Sequence, residues 1–131
     1  MVKISCFEEL DVWKHAAQIG IDIYRIADNT PLSKDYKSRD QLISAAISIS
    51  NNIAEGFEYN SNKDFVRFLI YAKGSAGEVR SQAYVLNKAA RISDEDYISL
   101  RESLVQISKE IKGFVIYLRE FEKNKNKKVG D

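Results

Sequence analysis

Apolar residues recur every three to four positions from Phe7 to Phe121, and polar, turn-forming stretches interrupt that rhythm in only a few places. The first, Thr30-Pro31-Leu32-Ser33-Lys34-Asp35, holds the only proline of the chain. Proline lacks a backbone donor and clashes inside a helix, so it marks a connection. Asn60-Ser61-Asn62 makes a second turn, and Ser61 with Asp64 three residues on resembles a capping box. Ser93-Asp94-Glu95-Asp96 repeats that start signal. The pattern predicts four helices: about Phe7–Asp28, Lys37–Tyr59, Asn62–Ala90, and a fourth continuing through Tyr97, Leu100, Leu104, Ile107, Ile111, Phe114, Leu118 and Phe121. Short connections between long helices make neighbours antiparallel. Residues 1–122 read as one all-α bundle domain, and 123–131 as a lysine-rich flexible tail without apolar periodicity, expected to fray.

Two apolar stripes run along the first helix at about 100° per residue. Leu10, Trp13, Ala17, Ile21 and Tyr24 form one; Val12, Ala16, Ile19, Ile23 and Ile26 form the other. Asp11, Lys14, Gln18, Asp22 and Arg25 fill only a narrow strip between them. A bundle helix with one exposed side needs a single apolar stripe. A second partner surface follows, and Val12, Ile19, Ile23 and Ile26 are the expected interface of a homo-oligomer; the alternative is looser packing against loops or the tail. The second helix carries a similar excess, with Ile43, Ile47 and Ala54 beside the stripe Leu42, Ala46, Ile49, Ile53 and Phe57.

Polar residues also gather on arcs. Ser44, Ser48, Asn51, Asn52 and Glu55 share one side of the second helix, and Tyr71, Gly74, Ser75 and Glu78 one side of the third. Glycine inside a helix costs about 1 kcal/mol relative to alanine, so Gly74 and Gly77 are expected to admit a neighbouring backbone or a bulky side chain, and Gly56 to do the same near a helix end. The seam Asn52, Glu55, Gly56, Gly74, Ser75 and Glu78 reads either as a recognition patch or as a structural hydrogen-bond network that fixes helix register.

At 131 residues the chain is long enough for one self-sufficient core. A single cysteine, Cys6, excludes an intramolecular disulfide and fits a reducing, cytoplasmic setting. The N-terminus has no signal-peptide pattern, and no uncharged apolar run is long enough for a membrane span, so no membrane partner is expected. Twenty Lys and Arg against nineteen Asp and Glu leave a net charge of +1, so any surface for a polyanion must come from uneven distribution.

Catalytic chemistry finds little support. His15 is the only histidine, which excludes paired Glu-x-x-His metal motifs and leaves no zinc set. Glu55 and Glu78 lack an accompanying nucleophile, and no phosphate-loop or dinucleotide glycine pattern occurs. No cofactor or metal is expected, and no enzyme. For nucleic acid the candidates are Lys73 and Arg80, with Lys63, Arg67, Lys88 and Arg91 near them, and the tail lysines Lys123, Lys125, Lys127 and Lys128. Aromatics at Tyr59, Phe65, Tyr71 and Tyr84 are interleaved with them. The competing reading is a protein-interaction module with solvated lysines.

Ser48-Ile49-Ser50-Asn51-Asn52-Ile53-Ala54-Glu55-Gly56 and Phe68-Leu69-Ile70-Tyr71-Ala72-Lys73-Gly74-Ser75-Ala76-Gly77-Glu78 resemble two signature segments of the four-helix-bundle proteins encoded in intervening sequences of bacterial 23S rRNA genes. Phe7-Glu8-Glu9-Leu10-Asp11-Val12-Trp13 resembles the start of that family, and the likeness covers about residues 6–122. The resemblance implies an antiparallel up-down four-helix bundle assembling as a ring, a pentamer. It also implies kinship with the accessory protein of diversity-generating retroelements, a basic pentamer that binds nucleic acid and its reverse transcriptase. The expectation is a non-enzymatic oligomeric scaffold, with structured RNA or DNA as the leading ligand.

Overall fold

The computed structural model describes residues 4–130, with side chains as far as Asn126. Leu10 is extended (φ −76°, ψ 123°) between a 3-10 turn at Phe7–Glu9 and α1, Asp11–Asn29, so the first helix starts later than its periodicity predicts. Phe7 meets Trp13 edge-on at 5.1 Å, which folds the turn back on the helix. The Glu9 carboxylate holds the same turn by accepting from Ser5 Oγ at 2.8 Å.

Side-chain caps set the next starts. Thr30 Oγ1 accepts from the Leu32 amide at the head of a 3-10 turn, Pro31–Lys34. Asp35 accepts from the Ser38 amide and opens α2, Tyr36–Glu58. Ser61 and Ser93 accept from the Asp64 and Asp96 amides and open α3, Asn62–Lys88, and α4, Asp94–Gly130. Each hydroxyl or carboxylate satisfies a donor that the first helical turn leaves unpaired. Two non-glycine residues take left-handed backbone to end helices: Asn60 (φ 54°) after α2 and Ala90 (φ 61°) after α3. At the latter the Arg91 amide donates to Leu86 O at 2.8 Å and the Ala90 amide to Asn87 O at 3.0 Å, the paired bonds of a Schellman closure.

The fourth helix does not stop near residue 122. It runs 37 residues to Gly130, through the segment expected to fray, because lysine favours a helix, asparagine tolerates one, and that segment holds no proline and no glycine before Gly130. At about 1.5 Å per residue α4 is roughly 15 Å longer than the 27-residue α3. Lys125 is exposed on this extension; the side chains of Lys127 and Lys128 lie outside the described residues.

Helices adjacent in sequence pack against each other and α4 returns to α1, with no diagonal contacts among the described residues, which gives a square up-down arrangement. Cross-helix pairs fix an antiparallel register: Gly20 with Ile47, Ser48 with Ser75, Phe65 with Phe114, Tyr84 with Tyr97, and His15 with Glu110. Ile23, Leu42, Ile49, Ile53, Leu69, Val79, Leu104, Ile107 and Ile111 fill the interior, each fully buried. A buried side chain of this size contributes about 1.5–3 kcal/mol.

The interior corrects the assignment of the two α1 stripes. Val12, Ile19, Ile23 and Ile26 are at most 6% exposed within the single chain, so they are core and have no area left to bury against a second copy. The other stripe faces outward beyond Leu10, which is buried: Ile21 is 58% and Tyr24 44% exposed, and Trp13 and Ala17 are half-buried. Both stripes are equally apolar, so periodicity separates the faces without saying which one the other three helices cover.

Candidate nucleic-acid interface

The register of α3 against α4 decides which charges share a face. Tyr84 lies 6.3 Å from Tyr97 and Phe65 lies 5.2 Å from Phe114, ring centroid to centroid. Asn62 Nδ2 donates to Glu122 Oε1 at 2.8 Å. That register sets Arg80 level with Arg101, Lys73 within a turn of Lys112, and Lys63 level with Arg119. At about 100° per residue Lys73, Gly77, Arg80 and Tyr84 occupy the α3 flank that turns toward α4, and Arg101, Ser108, Lys112 and Arg119 the α4 flank that turns toward α3. Lys63, Lys73, Arg80, Arg101, Lys112 and Arg119 are all exposed. None of them makes an ion pair among the described residues.

Among the described residues, carboxylates on these two flanks sit only at the ends. Asp94 accepts from Asn87 Nδ2 at 2.8 Å, and Glu122 is engaged by Asn62. Between them the α3–α4 face is a strip of cations in two facing rows. At its α2-side end Lys63, Arg119 and Lys125 line one open groove with Asn60, Ser61, Asn62 and Glu122. At its other end the Lys88 ammonium sits 5.6 Å from the centroid of the Tyr84 ring. A chain of net charge +1 thus segregates its charge instead of mixing it. Of the sequence-expected contacts, Lys73, Arg80 and Lys125 lie on or beside this strip. Arg101, Lys112 and Arg119 were missed, because their flank of α4 becomes legible only once the register with α3 is known; their 11- and 7-residue spacing was the available signal.

The polar seam lies on the opposite flank of α3, between it and α2. Ser48 Oγ and Ser75 Oγ are 2.8 Å apart, and Asn52 Nδ2 donates to Ser48 O at 2.8 Å and to Ser48 Oγ at 3.1 Å. This part of the seam is a bridge between helices. Glu55 and Glu78 stand outside it, both exposed, with no side-chain bond among the described residues. Gln82 Oε1, further along the groove that Asp40, Gln41, Ser44 and Glu78 line, is buried without a hydrogen bond.

The seam glycines divide. A Cβ at Gly56 would stand 2.6 Å from Phe68 Cβ, so α2 and α3 approach there as expected. Gly74 and Gly77 correct the expectation: nothing lies within 4 Å of a Cβ at either, since Gly74 is exposed and Gly77 lies on the open α3–α4 flank. Next to Gly56, the Tyr59 and Phe68 rings stack at 5.2 Å and 17°, with the Arg67 guanidinium 4.9 Å from the Phe68 centroid.

Hydrogen bonding from Ser38, then the Arg91 guanidinium, holds the Asp35 carboxyl below the usual carboxylate range. The bond to Asp28 raises Arg39, and the bond to Glu9 pushes the Cys6 thiol up. His15 Nδ1 lies 2.8 Å from Glu110 Oε2 and ties α1 to α4. Among the described residues no group of three His, Cys, Asp or Glu side chains could hold a metal ion. No helix there is long and apolar enough to cross a membrane.

Comparison with known proteins places this architecture. No curated protein matches the chain. A solved structure of a protein of unknown function from the S23 ribosomal protein family of Bacteroides thetaiotaomicron has the same fold. Its TM-score is 0.72 at 23% identity, over 79% of this chain and 97% of that one. Residues 8–113, from within the N-terminal turn through about half of α4, match the family model described as 23S rRNA-intervening sequence protein. With the match covering both signature segments and all four helices, the chain belongs to the 23S rRNA-intervening sequence protein family.

Proposed function

We propose that the protein is a non-catalytic, self-assembling cytoplasmic scaffold that holds structured RNA, or another nucleic acid, against the α3–α4 face. The observation that carries this reading is the double row Lys73, Arg80, Arg101, Lys112 and Arg119, exposed, without ion-pair partners among the described residues, and bounded by carboxylates only at its ends. Phosphate attraction needs clustered cations whose counterions are not already protein carboxylates.

Self-assembly is supported by the α1–α2 face, where Ile21 and Tyr24 lie exposed beside half-buried Trp13, Ala17, Ile47 and Ala54. In a square bundle that face is opposite α3–α4, so copies packed through it leave the cationic strip open. A ring, which the family resemblance puts at five subunits, would present one strip per subunit and raise avidity without any new contact.

The test is anisotropy of labelled structured RNA and of duplex DNA at low and near-physiological salt, with the wild type and the pair Arg80→Glu and Arg101→Glu. The expected result is tight, salt-sensitive binding by the wild type. In the double variant binding weakens at least tenfold, with a shallower dependence of log K on log salt. Unchanged affinity in the variant, or no wild-type binding at low salt, would leave the protein-interaction reading of the α1–α2 face in front.

A further inference from the structure

The end of the strip nearest the α3–α4 turn carries a group that phosphate attraction does not require. Tyr84 is 52% exposed although it lies on the flank of α3 that turns toward α4. Arg80 and Lys88 lie one turn to either side of it on the same helix, and Arg101 is level with Arg80 across the groove. Tyr97 meets the ring at 69°, an edge-on contact that fixes its orientation, and the Lys88 ammonium lies over the ring at 5.6 Å. Lys88 is exposed and has a long flexible stem, so it can move onto a phosphate while the ring takes a base. The nearest carboxylate on this flank, Asp94, is held by Asn87 Nδ2.

A half-exposed, pre-oriented aromatic ringed by cations is the combination that proteins use for unpaired nucleotides, because every base has a π-face and every nucleotide a phosphate. Paired bases inside a duplex present no such face. We propose that Tyr84 stacks an unpaired nucleobase, so that the ligand of the α3–α4 strip is RNA with a single-stranded segment, whose phosphates run on toward Lys73 and Lys112. This rests on the nucleic-acid reading of the strip and adds the class of ligand to it.

The experiment compares an oligoadenylate of about 12 nucleotides, a length within the span of known single-strand sites, with a blunt duplex RNA of matched charge. Near-physiological salt is used, with the wild type, Tyr84→Leu and Tyr84→Phe, all checked for unchanged helix content. A 2-aminopurine in the single strand reports stacking directly. The expected result is tighter binding of the single strand than of the duplex. Tyr84→Leu should lose about tenfold on the single strand and nothing on the duplex, with the salt slope unchanged. Tyr84→Phe should keep affinity and 2-aminopurine quenching, and Tyr84→Leu should lose the quenching. Equal losses on both ligands, or no loss on either, would overturn the stacking role while leaving the strip as a phosphate surface. Absence of wild-type binding to either RNA would remove the nucleic-acid reading, and this inference with it.

Discussion

Gly56 and Phe68 approach so closely that a methyl group on the glycine would stand 2.6 Å from Phe68 Cβ and 3.1 Å from Phe65 Cδ1. A Cβ is fixed to the backbone and cannot rotate away, so relief requires α2 and α3 to separate. Alanine would gain about 1 kcal/mol of helix propensity, but overpacking of this kind costs about 1–3 kcal/mol. Two Phe65 and Phe68 contacts are disturbed at once, so the clash wins. Gly56→Ala is expected to destabilise the fold by roughly 1–2 kcal/mol, read as a lower denaturation midpoint with an unchanged slope. A midpoint at or above wild type would show that the helices separate freely.

Gly74 and Gly77 supply the opposite case. A methyl group added to either would have no atom within 4 Å, and neither has positive φ. Gly74→Ala and Gly77→Ala should therefore each stabilise the isolated subunit by about 0.5–1 kcal/mol through helix propensity alone. Destabilisation measured at concentrations where the subunit is monomeric would contradict the open surroundings. Destabilisation only where it self-associates would place a neighbouring copy against α3.

The same sequence signal, glycine inside a helix, thus has two structural meanings, and the chain alone separates them poorly. The starts of α3 and α4 were legible because their caps, Ser61 and Ser93, are side chains acting on amides three residues away. Such local chemistry is complete within a short segment. Which α1 stripe is buried was not legible, since Ile21 and Ile23 are the same residue and only the packing of α2 and α4 distinguishes them. The cationic strip was half legible. Lys73 and Arg80 stand in one helix seven residues apart, but Arg101, Lys112 and Arg119 join them through a register that is set by Tyr84 against Tyr97 and Phe65 against Phe114.

That distinction within α1 can be tested with one substitution at each of two nearly adjacent positions. Ile23 is 0% and Ile21 58% exposed. Ile23→Asp places an unpaired carboxylate in the core and should abolish the cooperative fold, seen as loss of helical circular dichroism. Ile21→Asp should keep the helix content and shift sedimentation toward the monomer. An Ile21→Asp variant that still sediments like the wild type would exclude this face from the proposed assembly.

Ala90 is held at φ 61° by the Schellman closure after α3, where a β-carbon is unfavourable. Glycine removes that strain but increases the freedom of the unfolded chain. The strain is the larger quantity at a left-handed position, and Ala90→Gly should raise stability by about 1 kcal/mol. Denaturation midpoints of the two proteins at one pH decide it. A lower midpoint for glycine would mean that the unfolded-state entropy outweighs the strain.

Asp35 caps α2 and meets Arg91 from beyond α3, with Oδ2 3.3 Å from the guanidinium Nε, and so joins the first connection to the third. Its folded-state carboxyl is held below the usual range, foremost by Ser38. A depressed carboxylate contributes stability at pH values above its unfolded value, and the contribution disappears as pH falls through the folded value. The difference in stability between wild type and Asp35→Asn should therefore be constant above about pH 5 and shrink progressively below about pH 4. Asparagine can still cap the helix through its carbonyl oxygen, so the pH-dependent part isolates the charge. A difference that stays level down to about pH 2 would assign the role of Asp35 to capping geometry alone, with Arg91 contributing nothing.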